Sequence, residues 1–192
     1  IHERMTAVSE WQGVIRDIRL YELARQLSQN DGHLIPAEMG KPPDDSGPKS
    51  TGPPDRQTLR LIERHLESDP LVAETAFDSD SYEPRLLHVR LDTGRYPEAV
   101  TAARIDIRWF MTGDFSVHYV EDRGQGQQWE CRWDRHPNTH NSRLHFHEPP
   151  TATKITDLDL SSIHPLDVYS TVLTAIEQRL ENLWATRNQP TD

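Results

Sequence analysis

The run Arg132-Trp-Asp-Arg-His-Pro-Asn-Thr-His-Asn-Ser-Arg-Leu-His-Phe-His147 holds four of the chain's ten histidines, together with Asp134 and three arginines. No other window has this density of groups able to move protons, hold phosphate or ligate a metal. Three kinds of chemistry suit it. Two imidazoles that titrate near neutrality could deprotonate a ribose 2′-hydroxyl and protonate the leaving oxygen of RNA, with arginines on the phosphate and Asp134 fixing a tautomer. Alternatively, His145-x-His147 with His136, His140 or Asp134 supplies imidazole and carboxylate ligands suited to zinc or manganese, although the spacing matches no standard zinc-finger pattern. The third reading is a hydrogen-bonded surface loop or a binding face without catalysis. The residue types alone leave all three open.

The elements around this run decide which groups can meet. Residues 71–77 and 85–91 read as strands, as does 99–111, where Ile105, Ile107 and Trp109 alternate with Arg104, Asp106 and Arg108. Turns at Asp92-Thr-Gly94 and Thr112-Gly-Asp114 separate these from 115–120, whose Phe115, Val117 and Tyr119 share a face. Residues 128–134 follow, with Trp129, Cys131 and Trp133 on one side and Glu130, Arg132 and Asp134 on the other. His118 belongs to the polar alternates of its strand. His145 and His147 share a face if 144–147 is extended. Consecutive strands joined by short turns predict an antiparallel meander. Leu59, Ile62 and Leu66 mark a helix over 56–67. Pro165 opens a strongly amphipathic helix over 165–187. The expected fold is α+β, with a four- or five-stranded antiparallel sheet carrying helices on one face and a polar open face on the other.

The chain has 192 residues, 34% hydrophobic, with a net charge of −10. That balance argues against a protein that coats nucleic acid generally. Three lysines against eighteen arginines, with abundant acidic residues, suggest a salt-loving source. The single cysteine, Cys131, excludes an internal disulfide and reads as a buried thiol in a reducing compartment. No run approaches the ~20 apolar residues of a membrane span, and no signal-peptide core opens the chain, so a cytoplasmic location is expected. Residues 9–29 show helical periodicity, and 36–54 hold six prolines. Residues 1–54 therefore read as an appendage of helix and Pro-rich linker, or a mis-assigned start, ahead of a domain at 55–192.

The order of motifs is also informative. Phe115-Ser-Val-His-Tyr119 comes first, then Arg132-Trp-Asp134 with His136-Pro137, then His145-Phe-His147 before the last helix. It resembles the TumE-like family of toxin–antitoxin proteins over residues 55–185. The resemblance implies a cytoplasmic toxin paired with a small helix-turn-helix antitoxin, with RNA as the substrate. The resulting expectation is metal-independent RNA cleavage, a ribonuclease activity, by a His/Arg/Asp surface. His145 and His147 would be acid and base, with Asp134, His118 and His136 completing the catalytic set. Arg132, Arg143, Arg135, Tyr119 and His140 would bind substrate. No cofactor is expected, and a divalent metal at His145 and His147 is the lesser alternative. The competing reading is a non-catalytic regulatory module that binds protein or nucleic acid. A homodimer is left open.

Overall fold

The computed structural model describes residues 52–78, 83–137 and 142–187. The expected N-terminal helix and the Pro-rich stretch through residue 51 lie outside the described residues, as does His140. Pro53 and Pro54 already run beside the sheet, where Met111 N–H donates to the Pro53 carbonyl and Pro54 bridges Phe110.

Helix α1 (Arg56–Leu66) starts at Asp55, whose carboxylate accepts from the Thr58 N–H and hydroxyl. This N-cap satisfies a donor that the first helical turn leaves free. Seven strands follow: β1 (Val72–Phe77), β2 (Leu87–Leu91), β3 (Ala102–Trp109), β4 (Phe115–Asp122), β5 (Gln128–Arg135), β6 (Leu144–Glu148) and β7 (Lys154–Asp157). They pair in sequence order, every neighbour antiparallel. Helix α2 (Pro165–Arg187) is the last described element. No described helix is long and apolar enough to cross a membrane.

The sheet is therefore larger than the four or five strands expected. The five strands with clear alternation are all present. The two additions are β6, which turns most of the histidine-rich end into strand, and β7. Lys154-Ile-Thr-Asp157 is short, polar and largely exposed, so it carries no periodic signal. Its hydrogen bonds to β6, rather than its composition, make it a strand.

One face of the sheet is covered. Leu87, Val89, Ile105, Ile107, Trp109, Phe115, Val117, Tyr119, Trp129, Cys131, Trp133 and Phe146 are buried there with Leu59 and Ile62 of α1 and Val172 and Ile176 of α2. A charged network lies within this apolar layer. Glu121 continues the inward alternation of β4 and is fully buried. Its carboxylate accepts from Arg179 of α2 at 2.9 and 3.3 Å, from Arg123 at 2.8 and 3.2 Å, and from the Tyr119 hydroxyl at 3.0 Å. The Arg179 guanidinium also stacks 4.1 Å over the Trp129 ring. Helix α2 is thus fastened to the sheet by a buried cation as well as by its apolar stripe.

Cys131 lies in the same layer. Burial pushes its thiol well above the usual range, and the nearby Glu121 carboxylate adds to the effect. The reactive thiolate is therefore scarce and enclosed. A thiol-alkylating reagent is expected to label Cys131 only in denaturant, leaving the native protein unmodified on the same timescale by mass spectrometry.

Candidate functional site

The opposite face of the sheet carries the polar alternates, and the register lines them up. One row runs Arg108–Ser116–Asp134–His145–Asp157 across β3 to β7. The next runs Asp106–His118–Arg132–His147–Ile155. Neighbours within a row are about 5 Å apart, one strand spacing. Asp134, His145, Arg132 and His147 thus form a square on β5 and β6. His136, just past the end of β5, closes it on one side.

Asp134 is the hub. It is fully buried, and its Oδ2 accepts from Arg132 Nε at 2.8 Å. The Nε2 atoms of His147, His136 and His145 lie 3.1, 3.8 and 3.9 Å from that same oxygen. Burial pushes the Asp134 carboxyl up, but the Arg132 guanidinium and Ser116 on the neighbouring strand, with His147 when its ring is protonated, hold it below the usual carboxylate range. The group is a carboxylate at any physiological pH. Its other oxygen, Oδ1, is buried without a hydrogen bond.

The imidazoles are oriented from behind. His145 Nδ1 faces the Ser142 carbonyl at 3.1 Å, His147 Nδ1 the Ala152 carbonyl at 2.9 Å, and His136 Nδ1 the Pro137 carbonyl at 3.1 Å. A carbonyl oxygen only accepts, so each Nδ1 carries its hydrogen. In the neutral ring the lone pair is then left on Nε2. Arg132 Nη2 donates to His147 Nε2 at 3.0 Å, which agrees with this tautomer. Arg132 therefore places one fork between two acceptors, the Asp134 carboxylate and the His147 imidazole. His145 is enclosed at 1% exposure. Burial pushes its pKa down against the pull of Asp134, and His136 and His147 push the same way. Ala152 holds φ at 52°, a left-handed conformation unusual for alanine, as it presents its carbonyl to His147.

His118 joins the face but not the hub. It pairs with Glu130 at 2.9 Å, one strand over from Arg132. Arg135 and Arg143 gather instead around Asp114, at the strand ends beyond the Asp134 row. Arg143 donates to Asp114 Oδ1 at 2.7 and 3.1 Å, and Arg135 does so at 3.2 Å. Two guanidiniums share one carboxylate, so this corner carries an excess of positive charge. Arg143 is 47% exposed there.

Tyr119, expected to bind substrate, is not on this face. It is buried on the helix side, bonded to Tyr96 and Glu121, because it follows the Phe115–Val117 alternation inward. Asp114 was not singled out from the sequence. It reads there as one residue of a Thr-Gly-Asp turn, and the return of Arg135 and Arg143, 21 and 29 positions on, gives it a role.

No curated protein and no solved structure matches the chain. Residues 58–180 do match the model of the family described as Toxin TumE, a span that includes most of both described helices, the whole sheet and every member of the Asp134 cluster. The chain belongs to the TumE toxin family, and so is the toxin component of a toxin–antitoxin system.

Proposed function

We propose that this toxin acts by cleaving RNA at the Asp134 cluster. The observation that carries the reading is the convergence of three imidazole Nε2 atoms and Arg132 on one buried carboxylate oxygen, on the face of the sheet opposite the two described helices. In the reaction, the 2′-oxygen attacks the adjacent phosphorus and the 5′-oxygen departs. A neutral imidazole of the cluster takes the proton of the 2′-hydroxyl and a protonated one gives a proton to the 5′-oxygen, so the products are a 2′,3′-cyclic phosphate and a 5′-hydroxyl. Such a step needs cations on the phosphate and polar groups at the two oxygens. Arg132 and the positively charged Arg135–Arg143 corner supply the cations. His147, at the rim of the cluster, faces the scissile bond, while the more deeply enclosed His145 supports Asp134 from within. His118 with Glu130 extends the same face toward the flanking nucleotide.

The antitoxin partner implied by the family would be a small helix-turn-helix protein that covers this face, and the pair would act in the cytoplasm. The test is growth after induced expression, wild type beside the His145→Ala/His147→Ala double variant at equal protein level. It is joined to end-group analysis of RNA incubated with each purified protein. Arrest and 2′,3′-cyclic ends with wild type only are expected. Equal arrest by both proteins, or intact RNA with wild type, would overturn the reading in favour of a toxin that binds its target without cleaving it.

A further inference from the structure

We infer that Asp134, His145 and His147, with His136 as a fourth donor, form a binding site for a first-row divalent transition-metal ion such as zinc. The inference rests on the reading of this cluster as the reactive centre and deepens it. The ligand atoms of Asp134, His145 and His147 all lie within 4.8 Å of one another. The three Nε2 atoms stand 3.1–3.9 Å from Asp134 Oδ2. A tetrahedral ion with metal–ligand bonds of 2.0–2.2 Å sets its ligands about 3.4 Å apart. The separations from Asp134 bracket that edge, while those within the Asp134–His145–His147 set extend up to 4.8 Å, so the imidazoles would draw in on the ion.

Three further features fit a cation. Each of the three Nδ1 atoms donates to a backbone carbonyl, the arrangement that fixes metal-binding histidines and aims Nε2 at the ion. The lone pairs so aimed face a buried carboxylate, and acceptors this close repel unless a cation stands among them. Asp134 Oδ1 is buried with no hydrogen bond of normal geometry, although Ser116, opposite it on β4, also acts on the carboxyl. In the structure the cation is Arg132, which reaches both Oδ2 and His147 Nε2. Its side chain is 27% exposed and has solvent to swing into. A metal ion would take over the neutralising role, and the freed guanidinium would be available to a phosphate. Nitrogen-rich donor sets with one carboxylate suit zinc, cobalt, nickel, manganese and ferrous iron over magnesium or calcium. A bound ion of this kind supplies a Lewis acid toward a phosphate oxygen.

Full-length protein stripped with chelator and dialysed would be titrated with Co²⁺, following the visible absorption of nitrogen-coordinated cobalt, and then displaced with Zn²⁺. One equivalent is expected. Asp134→Ala and His145→Ala should each weaken uptake by more than about 100-fold, beyond what loss of a supporting partner costs. His88→Ala removes another histidine–carboxylate pair on the same face, 2.7 Å from Asp106, and should leave uptake unchanged. Arg132→Ala should bind at least as tightly as wild type, which a merely structural cluster would not do. Circular dichroism checks the fold of each variant. If His145→Ala does not fold, the Arg132→Ala and His88→Ala comparison decides.

Absence of cobalt uptake by wild type, or equal uptake by folded His145→Ala, would overturn the inference. Cobalt bound while RNA stays intact keeps the metal site and removes the proposed reaction. RNA cleaved by protein that takes up no cobalt does the reverse.

Discussion

Glu121→Ala is expected to lower the thermal midpoint by on the order of 10 °C, the largest stability loss of any single substitution considered. The carboxylate and the Arg179 guanidinium are both fully enclosed, so truncating Glu121 takes the carboxylate from a cation held away from water. Breaking one partner from a buried pair costs about 3–5 kcal/mol, and each kcal/mol moves the midpoint of a chain of this size by about 2–4 °C. Arg123 and the Tyr119 hydroxyl lose the same acceptor, which deepens the loss. The double replacement Glu121→Leu with Arg179→Met should recover most of it, because two apolar side chains in those positions carry no desolvation penalty. Calorimetry of the two variants and wild type checks this. A single variant as stable as wild type would mean that the other contacts of Arg179 suffice to hold its charge. An unrecovered double variant would mean that the stacking of Arg179 on Trp129 contributes more than the pair itself.

Asp134→Asn is expected to abolish growth arrest with only a modest change in stability. The amide keeps the shape of the carboxylate and removes its charge. Arg132 then loses its ionic acceptor at 2.8 Å, and three imidazoles lose the anion they face. The amide oxygen can still accept from Arg132 and the NH₂ can meet an imidazole lone pair, so what is lost is chiefly the charge. RNA cleavage should fall by about 10²–10⁴-fold, the range for disabling proton-transfer or charge-stabilising groups. Cleavage by purified protein, with the thermal midpoint as control, checks it. Full activity in folded Asp134→Asn would mean that the carboxylate has no part in the reaction. Loss of both fold and activity would show that Asp134 is first a structural anchor for β5 and β6.

Much of this arrangement can be read in the sequence, and particular residues show why. Arg132 and Asp134 alternate with Trp129, Cys131 and Trp133, so a single strand assignment puts both on the polar face. The same reasoning places His118. Helix α2 spans the predicted Pro165–Arg187 because proline starts it and its stripe is long. His145 and His147 depended on whether 144–147 is extended, and β7 decides that by pairing with it. β7 is held by register with a neighbour, not by its own composition, and local patterns do not encode that. Tyr119 was misplaced for a related reason. Its chemistry suggested a site, but its alternation with Phe115 and Val117 is the stronger signal and puts it in the core. Arg179 sits within the α2 stripe, yet only the fold reveals that Glu121 faces it from 58 positions away.

The strand order has a consequence in time. Each strand pairs with its neighbour in sequence, so every ladder closes through a short connection with little loop entropy to overcome. Domains assemble from the N-terminal side as the ribosome delivers them. β1 to β5 can therefore dock before β6 exists. The hub waits for β6, since His145 and His147 arrive only with it, and for β7 to pin that strand in register. A nascent chain stalled before residue 144 has most of a scaffold and none of the completed cluster. If the Asp134 cluster is the reactive centre proposed above, the growing chain would acquire it only after β6 and β7 have been made.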